Sequence, residues 1–173
     1  MQIGRDTPSV AIALRASLRQ DPDVILLGEM RDLETIRLAL TAAETGHLVL
    51  STLHASSAPT SISRIIDVFP GEEKNRVKNM LSECLQAVIC QTLVKRANGI
   101  GRIAAVEILV ATPAIRHMIK QDQIAHIESA IQTNTDKGMC TMDQYLKDLV
   151  MKKLISSQTA RLLSQSRNAF KED

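Results

Sequence analysis

The stretch DPDVILLGEMRD, residues 21–32, decides the fold of this chain. Val24–Leu27 is an apolar run bounded by turn-forming residues, which predicts a buried strand of a parallel sheet. Gly28 and Glu29 follow the run, and open α/β sheets bind ligands beyond the carboxyl ends of their strands. A carboxylate there suits Mg²⁺ binding or the polarisation of a water in phosphoryl transfer. The stretch therefore predicts one half of a nucleotide site, the Walker B half.

The other half would be a phosphate-binding loop with the pattern G-x-x-x-x-G-K-S/T. The chain has 7 glycines, and none of them is followed by Lys-Ser or Lys-Thr. Residues 1–20 are too few for a strand, such a loop, a helix and a connection. Two interpretations remain: a false match, or a piece of a larger protein.

Composition limits the class of protein. The 173 residues are 45% hydrophobic and 23% charged, which is typical of a soluble globular chain. Aromatic residues make up 2% and the net charge is +2, so neither base stacking nor a strong positive field favours a nucleic-acid partner. Three cysteines without C-x-x-C spacing favour a reduced setting without zinc. No signal peptide or membrane span is visible, which predicts a cytoplasmic protein.

Hydrophobic periodicity predicts a βαβ unit around the opening stretch. Residues 9–20 are predicted to be helical, with Arg15 and Arg19 one i,i+4 step apart on one face. A second helix runs from Leu33 and ends near Gly46, and a second strand starts at 48–50.

Downstream, residues 57–68 are predicted to be helical, and the apolar positions from Val77 to Ile89 predict one continuous amphipathic helix containing Cys84 and Cys90. Asn98-Gly99 predicts a hairpin turn between the strands 92–95 and 102–108. Thr112-Pro113 is a good helix start. We therefore place a boundary between a core domain, 1–111, and a helical subdomain, 112–173, whose further helices are predicted at 124–133, 141–153 and 157–169.

Three segments resemble the type II/type IV secretion ATPases. Residues 15–32 resemble the Walker B region of that family, and GHLVLSTLH, 46–54, resembles its His box. AIRHMI, 114–119, resembles a signature of the type IV pilus retraction ATPases within the family, and departs from it at His117 and Met118. The resemblance covers essentially the whole chain.

The resemblance implies an α/β fold, an incomplete RecA-like parallel sheet of the P-loop NTPase type, followed by a helical C-terminal subdomain. It implies that the Walker A loop, an Asp box and a PAS-like domain lie upstream of residue 1. The implied function is a homo-hexameric ATPase that uses ATP and Mg²⁺ to power pilus retraction and twitching motility. The implied partners are copies of itself or a full-length homologue, and an inner-membrane pilus platform protein.

The resemblance also implies roles for single residues. Glu29 would polarise the attacking water or help to hold Mg²⁺, and the alternative is a carboxylate that caps the turn or pairs with Arg31. His47 and His54 would sense the γ-phosphate or couple neighbouring elements, and the alternative is ordinary hydrogen bonding. Arg31 and Asp32 are expected to stabilise the turn between strand and helix.

Arg15 and Arg19 would approach a nucleotide bound at a subunit boundary. The alternative is a solvated helix face with a salt bridge to Asp21 or Asp23.

The retraction signature would transmit motion to the pilus machinery through Ala114, Ile115, Arg116 and Ile119, with Arg116 as its exposed contact. The alternative is ordinary packing of the two isoleucines.

Because no phosphate-binding loop occurs in it, we expect the chain to be inactive alone. The alternative is a non-catalytic binding or assembly module that joins a full-length homologue or the platform proteins. A DNA-translocating motor would share the core, but the near-neutral charge and scarce aromatics count against it.

Overall fold

The computed structural model describes residues 4–164 and residue 170. In these residues the helices and strands alternate first and the helices dominate later. The order is α1 (Val10–Ser17), β1 (Val24–Leu27), α2 (Leu33–Glu44), β2 (Leu48–Ser51), α3 (Ala58–Asp67), α4 (Gly71–Cys84), β3 (Ala87–Lys95), β4 (Arg102–Val110), α5 (Pro113–Lys120), α6 (Ile127–Thr133), α7 (Met142–Met151) and α8 (Ser157–Leu163).

The predicted βαβ unit is confirmed. Strands β1 and β2 pair in parallel, with Val24 opposite Leu48 and Leu27 opposite Ser51, and α2 connects them. The inward side chains of the two strands pack against α1 and α2. This small core contains Leu14, Ile25, Leu27, Ala39 and Ala42.

The other face of this sheet is open, so the prediction of a fully buried strand is wrong on that face. Val24 is 53% exposed and Leu26 77%, and their neighbours Leu48 and Leu50 are exposed as well. The reason is that α1 and α2 cover one side only, whereas parallel sheets of α/β proteins are covered on both faces.

The prediction of one helix through Val77–Ile89 is also wrong. Helix α4 ends at Cys84, and Leu85 has an extended backbone (φ −59°, ψ 132°) that leads into β3. Val88 and Ile89 continue the helical spacing of the sequence by coincidence, because from residue 87 onward exposed and covered positions alternate with the period of two of a strand.

Cys90 therefore lies on a strand and not in the helix. Burial raises the pKa of the Cys84 and Cys90 thiols, which suits their predicted behaviour as small hydrophobic residues.

Strands β3 and β4 form an antiparallel hairpin with Lys95 opposite Arg102. Gly99 in the turn has φ +75°, which confirms the predicted need for positive φ there. At the turn end, the inner face of the hairpin packs on α7 and α8 through Val94, Ala105, Leu146 and Ala160.

The largest core lies between α2, α3, α4, the hairpin, α5 and α6. Ile115 and Ile119 of α5 and Ile127 and Ile131 of α6 are completely buried in it. This core contains residues from both sides of residue 111, and the division into two domains there stays a prediction.

The predicted helix starts at Ser57 and Thr112 are confirmed, because both side chains cap their helices. The predicted helix 124–133 begins as a 3₁₀ turn at Ile124–His126. The predicted helix 157–169 is observed to Leu163, and residues 165–169 lie outside the described part of the chain.

Candidate functional site

Two hydrogen bonds tie the strands together beyond the end of the sheet. The backbone N–H of Met30 donates to the carbonyl oxygen of Thr52 at 3.1 Å. The Thr52 hydroxyl donates to the carbonyl oxygen of Gly28 at 2.6 Å. Residues Glu29 and His54 therefore leave the carboxyl ends of neighbouring strands side by side.

The Glu29 carboxylate contacts two basic side chains. Its Oε1 lies 3.0 Å from Nε2 of His54, and its Oε2 accepts a hydrogen bond from Nε of Arg31 at 2.7 Å. The predicted proximity of His54 to Glu29 is confirmed, and so is the pairing with Arg31 that was the alternative for Glu29. We call Glu29, Arg31 and His54 the strand-end cluster.

The strand-end cluster lies on the open surface. The side chain of His54 is 82% exposed, that of Arg31 76% and that of Glu29 21%. A cleft of about 350 Å³ starts one residue after His54, and it is lined by Ala55, Ser56, Ser57, Thr60 and parts of β3 rather than by Glu29. The cluster is therefore open to solvent, most at His54 and Arg31 and least at Glu29.

Mg²⁺ does not fit directly on Glu29 in this arrangement. Both carboxylate oxygens already contact basic groups, from Arg31 and His54, which stand where a cation would have to approach. Across residues 4–164 and 170, no group of three or more His, Cys, Asp or Glu side chains is arranged to hold a metal ion.

Arg31 and Asp32 stabilise the turn after β1, as predicted. Arg31 pairs with Glu29, and the Asp32 carboxylate caps α2 by accepting from the backbone N–H of Thr35 at 2.8 Å and from its hydroxyl at 2.9 Å.

Arg15 and Arg19 do not share a regular helical face. Helix α1 ends at Ser17 and continues as a 3₁₀ turn, so the step between the two arginines is not that of an α-helix. Both side chains are exposed. Arg15 pairs with Glu34 of α2 at 2.6 Å instead of with Asp21 or Asp23, the partners expected for a solvated face.

His47 precedes β2, whereas His54 follows it. His47 belongs to the C-terminal cap of α2. Gly46, with φ +102°, and His47 donate their backbone N–H groups to the carbonyl oxygens of Ala43 and Ala42, at 3.2 Å each. This is a Schellman motif. Nδ1 of His47 lies 2.9 Å from the same Ala42 oxygen, and the structure does not bring His47 to Glu29.

The Ala114–Ile119 segment is buried at its two isoleucines, Ile115 and Ile119. Arg116 is not the exposed contact that the sequence predicts. Its guanidinium donates to the carbonyl oxygens of Ser82 and Glu83 in the last turn of α4, at 2.8 and 2.5 Å, and so caps that helix end. Ala114 alone among the four proposed positions is exposed.

Sequence reasoning missed one carboxylate. Glu107 on β4 is 1% exposed and accepts from the backbone N–H groups of Ala58 and Met142. A signal was present, because strand alternation places Glu107 on the same inward face as Ala105 and Leu109.

Among the described residues, no helix has both the length and the apolar character that crossing a membrane requires.

Comparison with known proteins decides the family. Residues 4–100 match the family model described as type II/IV secretion system protein. The chain belongs to the type II/IV secretion system protein family. This confirms the resemblance of its Walker B and His box segments.

The relatives that this chain resembles include a pilus retraction ATPase and a twitching motility protein. It is 60% identical over 160 residues to the type IV pilus retraction ATPase PilT of Pseudomonas aeruginosa, covering 92% of this chain and 46% of the relative. It is 53% identical over 165 residues to the twitching motility protein of Neisseria gonorrhoeae, covering 95% and 44%. The chain thus spans somewhat less than half the length of these relatives.

Solved structures of the family share the fold. A crystal structure of the pilus retraction motor PilT with bound ADP superposes with a TM-score of 0.86 at 45% identity, covering 94% of this chain and 46% of that one. The ATPase DotB of Legionella pneumophila superposes with a TM-score of 0.83 at 31% identity, covering 94% and 44%. The α/β arrangement of a small parallel sheet and helices is therefore that of these ATPases.

Proposed function

We propose that this chain is the C-terminal part of an ATPase that powers type IV pilus retraction and twitching motility. The observation that carries the proposal is the 3.0 Å contact between Glu29 and His54 at the carboxyl ends of two parallel strands. In a chain that is 60% identical to a retraction ATPase, this is the place where phosphoryl transfer needs a base and a polar contact.

In this proposal Glu29 polarises the water that attacks ATP. His54 contacts the γ-phosphate from the neighbouring strand, and His47 supports the same element from its far end by closing α2. Mg²⁺ is held through the nucleotide, since both oxygens of Glu29 are engaged by basic groups.

The remaining sites act between subunits and beyond them. Arg15 and Arg19 are exposed cations that approach a nucleotide bound to the next subunit of a homo-hexamer. The segment with Ala114, Ile115, Arg116 and Ile119 couples α5 to the end of α4 and passes motion towards an inner-membrane pilus platform protein. The protein would work in the cytoplasm, at the inner membrane through that partner.

The chain alone is proposed not to hydrolyse ATP. The RecA-like sheet is incomplete in this proposal, because no G-x-x-x-x-G-K-S/T sequence occurs in residues 1–173. Such a loop supplies the backbone amides and the lysine that hold the β- and γ-phosphates.

A chimera tests the proposal. The matching C-terminal part of Pseudomonas aeruginosa PilT is replaced by this chain, and Mg²⁺-dependent ATP turnover is measured. We expect turnover in the range of PilT itself. A folded chimera that binds ATP but does not hydrolyse it would contradict the proposal.

A second candidate function is a non-catalytic assembly module that joins a full-length homologue. The observation in its favour is the open apolar face of β1 and β2 with Val24, Leu26, Leu48 and Leu50. Co-purification of the chain with PilT, lost on Leu26→Asp, is the expected result for this function, and a chain that stays apart from PilT contradicts it.

A further inference from the structure

One buried carboxylate accepts hydrogen bonds from the first backbone N–H groups of two helices. Oε1 of Glu107 accepts a hydrogen bond from the backbone N–H of Ala58 at 2.7 Å, and its Oε2 from that of Met142 at 3.4 Å. Ala58 is the first residue of α3 and Met142 the first of α7. The Glu107 residue is 1% exposed, and within the described part of the chain no ion pair involves it.

Both helices need this acceptor. The N–H groups of a first helical turn have no partner within the helix. The cap residues Ser57 and Thr141 accept from the N–H groups of Thr60 and Gln144, three residues further on, and therefore leave the first N–H groups to Glu107. The partial positive charges of two helix N-termini replace the cation that a buried carboxylate otherwise requires.

The two helices belong to different parts of the molecule. Helix α3 begins four residues after His54, so its start fixes the end of the short segment 54–57. Helix α7 belongs to the C-terminal helices and packs on β4. Glu107 on β4 is thus a direct connection between the segment that carries His54 and the C-terminal helices.

We propose that Glu107 is a positioning residue, which sets the place of His54 relative to Glu29 by holding α3 and α7 on one carboxylate. The proposal rests on the role that the proposed function gives to His54. A shift of α7 would reach His54 through this one side chain and the start of α3.

The first test uses the wild-type 173-residue chain. Amide hydrogen exchange is measured by NMR at Ala58 and Met142 and compared with Gly71, the first residue of α4, where Pro70 provides no side-chain cap. We expect at least about tenfold more protection at Ala58 and Met142 than at Gly71, each relative to its intrinsic rate. Equal protection at all three amides would overturn the connection.

The second test uses Glu107→Gln, which keeps the size of the side chain. Its carboxamide can accept from one helix but presents an NH₂ group to the other. We expect at least about a tenfold loss of protection at Ala58 or Met142, together with changed side-chain NMR chemical shifts of His54 at fixed pH and unchanged ones of the exposed His126. The control Glu128→Gln, an exposed carboxylate in the first turn of α6, should change neither.

Loss of amide protection with unchanged side-chain chemical shifts of His54 would mean that Glu107 only stabilises the two helices, and would overturn the proposal. If Glu107→Gln does not fold, the reciprocal experiment decides, because coupling between two positions acts in both directions. Replacing the exposed His54 by Ala should change amide exchange at Met142 by about twofold or more, and no change there contradicts the proposal.

These measurements need no nucleotide. An inactive chimera in the ATPase assay would therefore remove the proposed role of His54 in hydrolysis and leave the exchange results standing. If the chimera is active but His54→Ala leaves amide exchange at Met142 unchanged, only the positioning role of Glu107 is refuted.

Discussion

Two carboxylates of this chain follow opposite rules. Glu29 follows the end of β1 and is partly exposed, and its partners are the basic side chains of Arg31 and His54. Glu107 lies inside the molecule, and its partners are the backbone N–H groups of two helices. A partly exposed carboxylate with exposed side-chain partners can be rearranged around a substrate, whereas a buried one with backbone partners holds elements in place.

The difference explains what each region contributes to stability. Salt bridges at the surface are screened and typically contribute about 0–1 kcal/mol. A buried carboxylate that satisfies two otherwise unpaired donors contributes more, since its loss leaves those donors without partners. The strand-end cluster should therefore govern activity, and Glu107 should govern stability.

The largest expected effect is that of Glu29→Gln on the chimera with PilT. Gln keeps the shape of the side chain but cannot act as a base, so turnover should fall about 100-fold or more. The affinity for ATP should stay within about threefold, because the change acts on the chemical step. Glu128→Gln serves as the control and should retain full turnover. If Glu29→Gln and Glu128→Gln turn over ATP at the same rate, Glu29 has no role in catalysis.

The second effect concerns Glu107→Ala in the chain itself. It removes both hydrogen bonds to Ala58 and Met142, and the free energy of unfolding should decrease by roughly 3 kcal/mol in a urea titration. Glu128→Ala, an exposed position, should remain within about 0.5 kcal/mol of the wild type. A tolerated Glu107→Ala would mean that the contrast between the two carboxylates does not exist.

A smaller effect is expected for Thr52→Val at the strand ends. The variant keeps the size of the side chain and removes the hydroxyl that donates to Gly28 at 2.6 Å. The free energy of unfolding should decrease by about 1 kcal/mol. Thr41→Val, which removes a hydroxyl contact to a carbonyl inside α2, should have less effect. If Thr52→Val lowers the free energy of unfolding less than Thr41→Val does, the hydrogen bond from Thr52 to Gly28 does not stabilise the strand ends.

The smallest effect is a pH dependence at Glu73, a partly exposed carboxylate that pairs with Arg37. Hydrogen bonding to Arg37, at 2.5 and 3.0 Å, lowers the pKa of Glu73 below its ordinary value of 4.5. Because the folded pKa is the lower one, this stabilisation is complete above the unfolded pKa and disappears as the pH falls through the folded pKa.

Glu73→Gln should therefore lose less stability than the wild type when the pH is lowered from above 4.5 to below the folded pKa of Glu73, measured by urea unfolding at low salt. If the free energy of unfolding depends on pH in the same way in both proteins, the ion pair between Arg37 and Glu73 does not form in solution.

The sequence predicted the strand-end cluster because its signals are local. An apolar run followed by Gly28 and Glu29 marks a strand end, and Gly46 marks the end of a helix before the next strand. Pairing of adjacent strands then brings Glu29 and His54 together without further information.

Other features depend on what lies across the interior. Whether Val88 and Ile89 belong to a helix or a strand was decided by pairing with β4, since short apolar runs fit both periods. Arg116 was expected at the surface as the exposed contact of the retraction signature, but the carbonyl oxygens of Ser82 and Glu83 lie beside it and accept its hydrogen bonds. Such partners are distant in sequence, and the local pattern does not contain them.

This chain is proposed to carry groups for hydrolysis but lacks the sequence that binds the phosphates. The proposal can be tested directly on the isolated chain. Its fold is first verified through slow amide exchange at the buried Ile119 of α5, and ATP turnover is then followed with Mg²⁺ in a sensitive phosphate assay. We predict no turnover above the background of Glu29→Gln, because Glu29 and His54 are in contact but the G-x-x-x-x-G-K-S/T sequence that would hold the phosphates does not occur in these 173 residues. Robust Mg²⁺-dependent turnover that disappears on Glu29→Gln would contradict this account.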